Sequence, residues 1–91
     1  MKLLPEEYQA IHSLLDQHGY VNDHLLVKKK GWLHIDINGN VFSFHRKDST
    51  EIIEGKFVSH QYYLIRVCEI EKRVAEFKDV KKELEIWLVG K

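Results

Sequence analysis

Apolar and polar residues alternate with period two from Leu33 to Ile37 and again from Phe42 to His45, on either side of Asn38-Gly39. Asn and Gly both accept the positive φ that a two-residue type I′ turn requires at its central positions, so this stretch predicts a β-hairpin. With Asn38 and Gly39 as the loop, Ile37 opposes Asn40, Ile35 opposes Phe42 and Leu33 opposes Phe44. Opposed residues share a face, which collects Leu33, Ile35, Ile37, Phe42 and Phe44 on one side. Trp32, His34, Asp36, Val41, Ser43 and His45 fall on the other. A three-residue loop would mix the two sets, and the hydrophobic pattern selects against it.

The remaining elements are read outward from this hairpin. Pro5 suits the first position of a helix and is followed by Glu6 and Glu7, which the helix dipole favours there. Leu4, Tyr8, Ile11, Leu15 and His18 then recur at helical spacing, predicting a helix over 5–18 closed by Gly19. Tyr20 to His24 reads as a connection, with Asn22-Asp23 as turn formers. A strand at 25–28 joins the hairpin through a three-residue loop ending at Gly31, which places Leu25 and Val27 on the apolar face. A polar turn is expected over 45–49, and a short further strand over 50–54. Tyr63, Val67, Ile70, Val74 and Phe77 alternate at spacings of four and three and predict a long helical segment over 60–88, capped by Ser59. A break near Lys78-Asp79 would let Asp79 cap a final helix ending before Gly90. Tyr62–Cys68 has the composition of a strand as well, and a fourth strand there is the alternative. The expectation is a single α+β domain over 1–91: a three-stranded antiparallel meander, at about 25–28, 32–37 and 41–46, packed on one face by two helical elements.

Composition changes this picture little. Ninety-one residues, 44% hydrophobic and 31% charged, are ordinary for one globular domain. The 14 basic and 14 acidic residues cancel. Residues 1–23, 24–58 and 59–91 carry −3, +2 and +1, too mild an asymmetry to point to a polyanionic partner. No apolar run approaches the ~20 residues that span a bilayer. MKLLPEEYQ reaches Pro5 and two glutamates too early for a signal peptide. Cys68 is the only cysteine, so no internal disulfide forms, and a cytoplasmic setting is expected. With no Cys-x-x-Cys or cationic neighbourhood, it is expected to be a buried small hydrophobe.

Candidate chemistry centres on the polar face of the hairpin. His34, Asp36 and His45 together offer two imidazoles and a carboxylate, the donor types of a divalent metal site, but without a ligand spacing such as HExxH. An exposed sheet face tolerates these residues equally well. Trp32, with Lys28, His34, His45 and Arg46 around it, can stack an unpaired base, anchor a protein interface, or be covered structurally. Trp87 in the last helix, with Ile65, Val41, Tyr62 and Ile86, adds apolar surface beyond what one core uses. The element order also occurs in double-stranded-RNA-binding domains, but SHQYYLIRV holds one arginine where those carry a basic cluster, and no family is assigned. The sequence ranks a non-enzymatic interaction module that self-associates, or binds a protein, first. A weak single-stranded nucleic-acid binder is second, and a metal site or enzyme third. No cofactor and no membrane contact are expected.

Overall fold

Asn38-Gly39 forms the expected tight turn, with φ of 52° and 87°, and the hairpin keeps the predicted register of Leu33 with Phe44, Ile35 with Phe42 and Ile37 with Asn40. The computed structural model describes residues 4–20 and 25–90, without the side chain of Leu25. The expected Asn22-Asp23 turn and the placement of the Leu25 side chain lie outside the described residues. Within them the chain is α+β and runs α1 (Pro5–Gln17), β1 (Leu25–Lys29), β2 (Trp32–Ile37), β3 (Asn40–Ile53), β4 (Lys56–Val67), β5 (Ile70–Val74) and α2 (Phe77–Val89). The strands form one five-stranded antiparallel meander in chain order.

The three-stranded expectation therefore falls short by two strands, and the segment expected to be helical over 60–88 is β4, β5 and α2. Tyr63, Val67, Ile70, Val74 and Phe77 do match a helical stripe. Tyr63, Ile65 and Val67 also alternate, and pairing with Arg46, Phe44 and Phe42 of β3 decides for strand. The bend after β4 carries no glycine or asparagine signal: Cys68 and Glu69 both take positive φ (49° and 68°). Cys68 is consequently exposed at a turn instead of buried. The polar turn expected over 45–49 and the separate strand at 50–54 are one continuous strand, and Ser59 lies inside β4 instead of capping a helix. α2 begins earlier than Asp79, with Glu76 as its N-cap; the Asp79 side chain reaches back to accept from the Glu76 N–H at 3.3 Å.

The β1–β2 turn is the two-residue pair Lys30-Gly31, not a three-residue loop, so Lys28 opposes Leu33 and Val27 opposes His34. Leu26 and Lys28 therefore share the apolar side with Ile35 and Leu33, and Val27 joins the opposite face. Lysine at position 30 takes the left-handed conformation (φ 51°) that the three-residue reading reserved for Gly31 alone.

Both helices pack on the apolar side. Ile11, Leu14 and Leu15 of α1 and Val80, Leu84 and Leu88 of α2 close over Leu33, Ile35, Phe42, Phe44 and Ile65. Each such side chain contributes roughly 1.5–3 kcal/mol by leaving water. His18, expected on the α1 stripe, is exposed. Ile65, expected as surplus, is core.

The other consequence of the topology is an arm. β2 pairs with β3 only as far as His45, and β5 meets β4 only from Tyr63 on. Lys47–Ile53 and Lys56–Tyr62 therefore pair only with each other, as a two-stranded ribbon about 23 Å long at the usual strand rise. The arm stretches the molecule to 50 Å along its longest axis. At its tip, beside the Glu54-Gly55 turn, Ile52 and Phe57 oppose one another and are 69% and 79% exposed.

Candidate functional site

Two surfaces concentrate the chemistry, and strand register decides which residues each receives. On the side away from both helices, one row runs across all five strands: Lys29, Trp32, His45, Leu64 and Arg73. The next row is Val27, His34, Ser43, Arg66 and Glu71. Trp32 is the hub. Its ring lies 6.3 Å from that of His34, nearly parallel, and 5.1 Å from that of His45. The Arg66 guanidinium sits over it at 4.8 Å. A second pair of the same kind lies beside it, with Arg73 over Tyr62 at 3.9 Å. His34 Nδ1 and Ser43 Oγ share a hydrogen bond of 2.6 Å.

His45 is held tightly. Its Nε2 lies 2.8 Å from where a Cβ at residue 31 would stand, so the ring occupies space that only a glycine leaves open. Gly31 also has φ +84°, a second reason for glycine there. His45 Nδ1 is buried and finds no hydrogen-bond partner among the described residues. Burial, and then the charge of Lys47, push its pKa below the ordinary 6.5. The unfolded chain thus takes up a proton near pH 6.5 that folded His45 resists, and stability falls as pH drops through and below that value. Urea midpoints between pH 7.5 and 5 are expected to decline, and less so in His45→Gln. Equal slopes for both proteins would contradict the assignment.

Trp32, His34 and His45 are thus brought together as the hairpin register predicts. Lys28, Arg46 and Trp87 are not part of this surface. Lys28 points to the helix side, its Nζ 4.0 Å above the Tyr8 ring, because the shorter β1–β2 turn shifts the register of β1. Arg46 follows Phe42 and Phe44 on the even, helix-facing side of β3. There Arg46 Nη1 stands 3.9 Å from Glu7 Oε1, and its Nη2 donates to Gln61 Oε1 at 2.8 Å. Trp87 packs on Phe42, ring centres 5.5 Å apart. Asp36 turns away from the imidazoles and accepts from the Gly39 N–H at 2.9 Å. Among the described residues, no three His, Cys, Asp or Glu side chains are placed to hold a metal ion.

No family model, curated protein or solved structure matches the chain. Function therefore rests on the geometry. Among the described residues no helix is long and apolar enough to cross a membrane.

Sequence reasoning missed Arg66, Arg73, Ile52 and Phe57 as surface features: Ile52 lies in the expected short strand, Arg66 and Arg73 in the expected helix, and Phe57 falls between the two with no element assigned. One signal was present. Glu54-Gly55 is an X-Gly pair like Lys30-Gly31 and Asn38-Gly39, and all three form two-residue turns.

Proposed function

We propose that the chain is a non-enzymatic protein-interaction module, a single domain that associates with a second copy of itself through the β3–β4 arm. A reducing cytoplasm suits its one unpaired cysteine. The observation that carries the reading is the arm tip, where Ile52 and Phe57 stand almost fully in water. An isolated two-stranded ribbon is marginal in water, and its open edges are templates for further pairing. A second arm supplies both missing strand partners and apolar cover. Charge does not oppose this: along the arm Lys47 and Lys56 nearly balance Asp48, Glu51 and Glu54, a net of about −1.

Sedimentation equilibrium is expected to give about twice the 10.8 kDa chain mass. Phe57→Asp, which places a charge in the proposed contact and touches no core residue, is expected to return the mass to that of one chain. A wild-type protein that stays monomeric at every concentration would dismiss the proposal.

A further inference from the structure

We infer that the helix-free face of the sheet binds single-stranded nucleic acid, with Trp32 and Tyr62 as stacking platforms and Arg66 and Arg73 as the cations laid upon them. This is a second surface, separate from the arm tip, and does not depend on self-association.

Aromatic rings and arginines occupy the face. Trp32, His34 and His45 in the two rows, and Tyr62 in the row beyond them opposite Lys47, are planar rings, and two of the rings already carry a guanidinium. Unpaired bases are held by stacking on aromatic rings and on arginine planes, and any base can use such a surface. Arg66 is itself 54% exposed on its side chain, so the outer face of its guanidinium is open to a stacked base.

The face is also locally positive. The whole chain is neutral, but from Asp36 to the arm base the outward positions hold Lys29, Lys47, Arg66 and Arg73 against Asp36 and Glu71. Asp36 accepts from the Gly39 N–H, and Glu71, 3.8 Å from Arg66, offsets part of that guanidinium's charge, which leaves these positions a net +2. Lys29 and Arg73 end the same cross-sheet row, about 19 Å apart at the usual strand spacing, with rings between them. That is the order a strand of nucleic acid requires: bases on rings, phosphates near flanking cations. An acidic peptide would use the cations and leave the rings idle.

No described element covers this side of the sheet; Trp32 on β2 and Arg66 on β4 are laddered on both sides, while Arg73 stands on the edge strand β5 and Tyr62 on β4 at the base of the arm. Little backbone ordering is then left at Trp32 and Arg66 on binding.

The test is fluorescence anisotropy with a labelled oligothymidine of about fifteen nucleotides, a duplex of the same length, and polyglutamate as a competitor. Wild-type protein is expected to bind the single strand with a log–log salt slope of about −1.4 to −2, two to three phosphates neutralised. Arg66→Glu with Arg73→Glu, both at exposed positions, is expected to flatten that slope and weaken binding at least tenfold. Tyr62→Ala is expected to weaken it about fivefold or more, the loss of one stacked base, and Tyr62→Phe to restore it. Phe57→Asp is expected to leave it unchanged, which separates this surface from the arm. No salt-dependent binding, equal binding of the duplex, or displacement by polyglutamate at matched charge would each overturn the inference.

Discussion

Glu7→Ala is expected to destabilise the fold by about 3 kcal/mol, although glutamate in the first turn of a helix ordinarily contributes a few tenths. The reason is where α1 sits. Glu7 is only 5% exposed. One carboxylate oxygen accepts from the Leu4 N–H at 2.9 Å, closing the start of the helix. The other accepts from the Tyr63 hydroxyl, and the Arg46 guanidinium stands beside the first. Alanine would leave a buried guanidinium without its carboxylate, a buried hydroxyl without its acceptor and a helix without its cap, all in one substitution. Glu7→Gln retains the hydrogen-bonding shape without the charge and is expected to cost about half as much. A second reading tests the same contact independently. Burial, then the hydrogen bond to Glu7 and its charge, push the Tyr63 pKa up to about 12. One of the four tyrosines should therefore ionise late in an alkaline titration, and ionise earlier in Glu7→Gln. Because the folded pKa is raised, Tyr63 also makes stability fall as pH climbs above 10, where the unfolded chain loses the proton first. A Glu7→Ala protein with an unchanged urea midpoint would show that the buried cluster is not formed.

Phe44→Ala and Phe57→Ala are expected to differ by about 3 kcal/mol or more in stability, though both remove one benzyl group from a strand. Phe44 is fully buried, its ring 6.2 Å from that of Phe77 on α2, and it faces Leu33 and Ile65 across the two neighbouring strands. Truncating it removes the ring from the centre of the core and leaves a cavity, about 3–5 kcal/mol. Phe57 contributes almost no burial within one chain. Its removal is expected to change the unfolding midpoint of dilute monomer by less than ~0.5 kcal/mol. The change should appear in self-association instead. A large loss of monomer stability in Phe57→Ala would mean that the arm tip folds back on its own chain, contrary to the geometry described above.

The element most legible in the residues was the Asn38-Gly39 hairpin, whose turn type, register and inward face all follow from local rules. Two residues that tolerate positive φ, flanked by strict alternation, leave one pairing that buries every Leu, Ile and Phe. α1 was similarly readable from Pro5, the first-turn glutamates and its stripe, to within one residue of its end. The placement of Trp32, His34 and His45 on one outward surface followed from the same alternation.

The identity of residues 46–74 was not local information. Tyr63 through Phe77 satisfies helical and extended periodicity at once, and the choice was made by β3, some twenty residues away in sequence, whose free edge offers hydrogen-bond partners that a helix would leave unpaired. The Cys68-Glu69 bend hid the β4–β5 hairpin because neither residue favours positive φ; the ladder on either side imposes it. One residue fewer in the Lys30-Gly31 loop moved Lys28 and Val27 to opposite faces. The same dependence on long-range pairing placed Arg46 against Glu7 and brought Arg66 to Trp32. Alternation and turn chemistry were enough to specify a hairpin and a helix, because both close over a few residues. The five-stranded sheet, its projecting arm and the company Trp32 keeps depended on which edge each later strand found, and edges exist only once the tertiary fold has formed.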